Sequence, residues 1–188
     1  LGQARKPVVL GAAALLLAAT GSAAFTEYAS ARRKLDMIEQ DRLRSGARVE
    51  LTDNELNAYA RHEAPPGVRN TRLEIGASGL VTGSAIVNFN EVRRAQGHPP
   101  GWLMSKLLDG ERPVSVTARL RSSNGSAQVN VERVTISGLD IDGRTLDFLI
   151  HNVLLPLYPD AAVDRPFELG HRVERIELYP RRVSVLIR

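Results

Sequence analysis

The strongest pattern in the chain is at its start. Residues 8–19 (VVLGAAALLLAA) are almost unbroken apolar, small residues continue the run to Phe25, and Arg5 and Lys6 stand before it. A basic end, an apolar stretch and small residues near a possible cut are the layout of a secretory signal. Ser22 and Ala24 fit the small positions before cleavage at Phe25. The competing reading is an uncleaved signal anchor. Residues 8–25 are about 18 in number, near the minimum for spanning a hydrocarbon core of ~30 Å. Both readings predict export, and the anchor is the one carried forward. The positive flank then leaves the C-terminal part outside the cytoplasm.

Beyond this segment the periodicity changes. Residues 26–45 contain no Gly or Pro and are rich in helix formers, with Tyr28, Leu35, Ile38 and Leu43 falling loosely on one face. They predict a helical stalk whose charged residues form a solvated face. Residues 48–51 predict a short strand. Thr52 and Glu55 are spaced as a capping box for a helix over 53–63, which Pro65, Pro66 and Gly67 end. Strands are predicted over 68–75 and 81–89, joined at Ala77-Ser78-Gly79. A polar connection with Pro99 and Pro100 leads to a short apolar helix over 102–108. A second hairpin, 114–120 and 127–136, turns at Ser123-Asn124-Gly125. Its return strand changes phase between Val131 and Val134, which predicts a bulge near Glu132-Arg133. Residues 145–157 form a helix apolar on more than one face. A last hairpin, 173–178 and 183–187, turns across Pro180-Arg181. The chain therefore divides into a signal peptide or anchor (1–25), a stalk (26–45) and an α+β domain (46–188). The domain is expected to hold an antiparallel sheet of about six strands, with the helices segregated from it.

Composition narrows the function. The 188 residues are 43% hydrophobic and 24% charged, which is ordinary for a folded domain. The formal charge of +4 includes Arg5 and Lys6, and the other basic residues are interleaved with acids, so no stripe for nucleic acid is present. The absence of cysteine excludes disulfides, thiolate metal sites and thiol catalysis. His62, His98, His151 and His171 lack metal-ligand spacing. The LDIDG stretch with Asp140, Asp142 and Gly143 opens like a calcium loop but lacks its later ligands, and a turn accounts for it. Glu168, Glu174 and Glu177 stand beside Arg165, Arg172 and Arg175, as on a salt-bridged strand surface. The expectation is a protein without catalytic activity, cofactor or metal.

Three phrases carry a resemblance: LTDNELNAY (51–59), ISGLDIDGRTLDFLIHNVL (136–154) and LGHRVERIELYPRRVSVLI (169–187). In this order, behind an N-terminal membrane segment, they make the chain resemble small bacterial membrane-anchored proteins of the YpmS type and their tubular lipid-binding (TULIP-like) relatives. The resemblance covers about residues 48–188. It implies a curved sheet around an apolar helix, with a groove for acyl chains, held at the bacterial inner membrane by a single pass with the domain outside the cytoplasm. The groove would be lined by Trp102, Met104, Leu107, Phe148, Leu149 and Val153 from the helices, and by Val87 and Phe89 from a strand. Plain core packing is the competing role for each. The implied partners are the membrane and a lipid or other hydrophobic ligand. The alternative is an envelope scaffold or protein-interaction domain with a protein partner.

Overall fold

The first helix, α1, runs from Val9 to Glu39 without interruption. The computed structural model describes residues 9–95, 97, 109–151 and 165–188, with side chains from residue 23 onward apart from those of Phe148 and Leu149. Among the described residues no helix is long and apolar enough to cross a membrane. The anchor expectation rests on residues 1–22, whose side chains lie outside those described.

The part of α1 expected to be a solvated stalk is packed into the domain. Tyr28, Ala31, Leu35 and Ile38 recur at three- and four-residue steps, so they form one stripe. Ala31 is fully buried, and Tyr28 and Ile38 nearly so. The stripe faces α2 (Asp53–His62) and a small sheet. The loosely spaced set read from the sequence omitted Ala31, which completes the stripe.

The core gathers on that sheet. β1 (Arg48–Thr52), β9 (Arg182–Ile187) and β8 (Val173–Tyr179) pair in this order, all antiparallel. Val49 stands opposite Val185 and Leu51 opposite Val183, and these four side chains are buried against Ala31 and Ile38. The final hairpin therefore belongs to a separate three-stranded sheet and not to the sheet formed by the earlier hairpins. A strand far upstream, with Thr52 opposite Arg182 and Arg48 opposite Leu186, claims its edge, a pairing that no local pattern announces.

The capping box is formed as expected. Thr52 Oγ1 accepts from the Glu55 amide at 3.2 Å, and Glu55 Oε2 accepts from the Thr52 amide at 2.8 Å. Glu55 is nevertheless buried, because α1 covers it. Lys34 Nζ donates to its Oε1 at 2.6 Å and its Oε2 at 2.8 Å, and Ser30 Oγ donates to Oε1 at 2.5 Å. Nearby, the Tyr28 ring stacks on His62 at 3.8 Å and on Tyr59 at 6.1 Å, and its hydroxyl donates to Glu63 at 2.7 Å.

The larger sheet runs β2 (Val68–Ile75), β3 (Leu80–Val87), β4 (Arg112–Ser123), β5 (Ser126–Ile136) and β6 (Leu139–Ile141), with β7 (Phe167–Glu168) on the far end of β5. It has six strands, all antiparallel, so the α+β class holds. Asn124 and Gly125 both take positive φ, 51° and 74°, as a two-residue hairpin turn requires. The predicted bulge is present. Thr117 pairs with Arg133 and Ala118 with Val131, which leaves Glu132 as the extra residue.

Two helices complete the described part. The strand expected over 81–89 stops at Val87, because Asn88 caps a helix: its Oδ1 accepts from the Glu91 amide at 3.1 Å. Phe89 thus opens α3 (Phe89–Ala95) and is buried. The long apolar helix begins two residues early, as α4 (Gly143–Leu149). Helical backbone runs on through His151; its continuation beyond that residue and the helix expected over 102–108 fall in segments outside the described residues.

Side chains join the two sheets. The Asn57 amide donates to Leu73 O at 2.8 Å and accepts from Leu73 N at 2.7 Å, so it takes the place of a strand beside β2. The Ser122 hydroxyl does the same for β8, with Ile176 O and N both at 2.7 Å. Backbone bonds at the tip of the last hairpin add Arg181 N to Ile75 O and Asp53 N to Arg181 O.

The Glu55 contacts give a pH dependence. Burial pushes its carboxyl upward, but the bonds from Lys34, Ser30 and the Thr52 amide outweigh this and hold it below its ordinary value near 4.5. A depressed folded-state value adds stability that is complete above about pH 4.5 and is lost as pH falls through the folded value. Glu55→Gln should cost about 2–3 kcal/mol at pH 7, since Lys34 loses its counter-charge, and should flatten the acid limb of stability. Urea unfolding at pH 7 and pH 4 measures both effects.

Candidate functional site

Register determines which side chains share a face of the large sheet, because residues paired across antiparallel strands point the same way. From Val81↔Ala118, Gly83↔Val116 and Ala85↔Val114, the odd-numbered residues of β3 join the even-numbered residues of β4. From Val116↔Val134, Ala118↔Val131 and Leu120↔Val129, that face continues onto β5. Leu73 and Ile75 extend it onto β2, and Leu139 and Ile141 onto β6. The result is one apolar face across five strands. The bulge at Glu132 makes this possible: an extra residue between Val131 and Val134 restores the alternation, so both valines point to the apolar side.

The reverse face is polar in its middle, with Leu80 at one end of β3 and Ile86 and Pro113 at the other. Thr82 and Thr117 bond each other through their hydroxyls at 3.0 Å, and Arg119 pairs with Glu132 at 2.6 Å. The sheet is therefore strongly amphipathic, yet its apolar side is poorly sealed. Of the residues on it, Ile75, Ala127 and Val134 are buried, while Val81, Ala85, Val114, Val116, Ala118 and Leu120 are only half-buried. At its far end Leu139 is 70% exposed. The end that is sealed lies under β8, where Ser122 holds Ile176, and beside the small sheet, where Ile75 joins the main core.

The middle of the face carries small side chains. Gly83 has Ala85 next to it on β3 and Ala118 diagonally across on β4, with Val116 directly opposite. The glycine is not demanded by the backbone, since a Cβ there would meet only Leu73 Cδ2, at an ordinary 3.5 Å. A strand glycine of this kind brings no side chain of its own to the face, and Leu73 of β2 reaches beside it. Such a surface can cover a flexible apolar chain by dispersion and loss of hydration, without directional bonds.

The structure separates the residues expected to line a groove. Val87 lies on this face at the end of β3 and is half-buried. Phe89 does not belong to it: the Asn88 cap turns it into α3, and it is 6% exposed in the core. The Asn88-x-x-Glu91 spacing was the available signal for that switch. Phe148 and Leu149 lie on α4, but their side chains are outside those described. Trp102, Met104, Leu107 and Val153 fall in segments outside the described residues.

The polar candidates are engaged in structure. His62 is stacked on Tyr28, and His151 Nδ1 is 2.8 Å from Asp147 O. His171 occupies a turn with φ of 54°, and His98 is outside the described residues. Among the described residues no three His, Asp or Glu side chains converge to hold a metal. The LDIDG stretch forms β6 and leads into α4. Glu177 is held below its ordinary value, chiefly by the Tyr179 hydroxyl at 2.9 Å, with Arg175 and Arg48 adding to this against desolvation. It is the salt-bridged strand surface that its neighbours in sequence suggested.

No protein-family model matches the chain, and no curated protein matches it significantly.

The two strand candidates should behave differently on truncation. Phe89→Ala removes a buried ring and should cost about 3–4 kcal/mol. Val87→Ala, on the half-buried face, should cost about 1 kcal/mol. Equilibrium urea unfolding of the two variants measures this difference.

Proposed function

We propose that this protein is a non-catalytic, membrane-held module that binds the acyl chain of a lipid against the apolar face of its large sheet. The observation that carries the reading is that face: apolar across five strands, built of small residues at Gly83, Ala85 and Ala118, and half-buried where a packed core would be sealed. In this reading the sheet curves around apolar helices, and Trp102, Met104, Leu107, Phe148, Leu149 and Val153 supply the opposite wall. Each methylene removed from water contributes about 0.8 kcal/mol, so a chain of ordinary length needs only part of its methylenes covered to bind firmly. The apolar segment over residues 8–25 holds the domain at the membrane, outside the cytoplasm, where such chains are available.

Two measurements test this. The full chain, extracted from membranes in mild detergent, should carry lipid adducts in native mass spectrometry and should take up a fluorescent fatty acid. Ala85→Phe adds bulk to the apolar face and should lower uptake at least about tenfold. Ser84→Phe, one residue away on the polar face, should leave uptake unchanged while adding the same bulk. A wild-type chain that binds neither lipid nor fatty acid, and is instead recovered with a protein partner, would overturn the reading in favour of an envelope scaffold. The tether is tested by alkaline extraction of membranes, in which the chain should stay with the pellet.

A further inference from the structure

A second concavity lies on the other side of β2, and its chemistry is unlike that of the apolar face. It is an open cleft of about 810 Å³ between the start of the described side chains of α1, helix α2 and strand β2. Ala23, Ala24 and Glu27 form one wall, Asn54, Asn57 and Arg61 another, and residues 70–75 the floor. Three guanidinium groups (Arg61, Arg72 and Arg181) and three carboxylates (Glu27, Asp53 and Glu74) stand around it. The formal charge of the cleft is therefore balanced, which disfavours a simple anion: any phosphate drawn by the arginines meets the carboxylates as well.

The charges are unequally committed. Asp53 is held by Arg181 at 2.9 Å, and Arg72 pairs with Glu74 at 3.0 Å in a solvent-exposed contact. Arg61 and Glu27 enter no ion pair among the described residues, so one cation and one anion remain for a ligand. Thr71 Oγ1, on the floor, is buried without a hydrogen-bond partner among the described residues. A bulge at Asn70, with φ of 54°, interrupts the β2–β3 ladder at this point of the cleft floor.

Position adds to charge. Ala23 and Ala24 belong to the same run of small and apolar residues that ends at Phe25, so the cleft opens beside the end of the segment read as the tether. On its floor, Leu73 and Ile75 are also residues of the apolar face.

We infer that this cleft takes the zwitterionic headgroup of a phospholipid of the phosphoethanolamine type. Arg61, with Arg72 released from its exposed pair, meets the phosphate, and Glu27 meets the ammonium. A guanidinium matches phosphate oxygens in a planar fork, and a carboxylate accepts from an ammonium. The inference rests on the proposed acyl-binding reading and gives it a substrate class: a whole zwitterionic phospholipid rather than a free fatty acid.

The test uses the full chain in detergent micelles, with phosphatidylethanolamine, phosphatidylglycerol and oleate offered in turn and bound species counted by native mass spectrometry. The expected order is phosphatidylethanolamine above phosphatidylglycerol and oleate. Arg61→Glu should lower the ratio of phosphatidylethanolamine to oleate adducts about tenfold, and Glu27→Lys should reverse the preference between the two phospholipids. Circular dichroism melting of each variant shows whether the fold is kept; Arg61 is exposed and Glu27 half-buried on their helices, and Arg61→Gln and Glu27→Gln serve as milder second variants. Equal retention of the two phospholipids, with a ratio unmoved by either charge change, would overturn the headgroup site while oleate uptake upholds the apolar face. Loss of all three ligands from the wild-type chain would overturn both.

Discussion

One carboxylate connects three parts of this chain. Glu55 closes the capping box that starts α2 directly after β1, and its remaining capacity is filled by Ser30 and Lys34 of α1. A capping glutamate is normally solvated, and placing a helix over it removes that solvation. The ammonium of Lys34 offsets the loss, and being only partly buried it keeps some of its own hydration. The charge is thus satisfied at four contacts, and α1 cannot leave without exposing a buried ion pair and the Ala31–Ile38 stripe together. The docking of α1 on α2 and the small sheet follows from this pair acting with apolar burial, since neither would hold a helix as definite in position alone.

The two sheets meet under a second constraint, the need to satisfy strand edges. β2 and β8 each present an edge that no backbone ladder pairs: helix α2 lies beside the first and the end of strand β4 beside the second. Asn57 and Ser122 occupy these edges with groups that donate and accept at once, as a backbone would. This allows the small, well-buried sheet and the large, half-buried one to share a boundary without merging. The difference in burial between them is the structural basis of the proposed function. The small sheet, with α1 and α2, supplies the packed core, and the large sheet is free to keep an apolar face incompletely filled.

The local features were legible because their causes are local. The Thr52–Glu55 spacing, the Asn124-Gly125 turn and the phase change between Val131 and Val134 each depend on a few consecutive residues, and the structure contains all three. What escaped was long-range or competitive. Nothing near Val49 announces that Val185 will stand opposite it. At Phe89, continued alternation argued for strand, and the cap from Asn88 won because it satisfies an amide that a helix start would otherwise leave open. The apolar face was only partly legible: alternation in β3 and β4 was plain, but its joining across five strands requires the register. The polar cleft left no sequence signal, since its walls come from α1, α2 and β2.

The docking of α1 changes what the tether means. A free stalk would hold the domain at a distance and let it turn. Here the helix is continuous through Phe25, and the first fully buried contact, Ala31, comes six residues later. At 1.5 Å per residue that is about 9 Å of rigid helix. No Gly or Pro lies between Ser22 and Ser45 to act as a hinge. If residues 8–25 sit in a bilayer, this short helical link would hold the domain close to its surface. The proposed lipid-binding face would then need no long reach, because the same buried carboxylate that docks α1 would also set how the domain meets that bilayer.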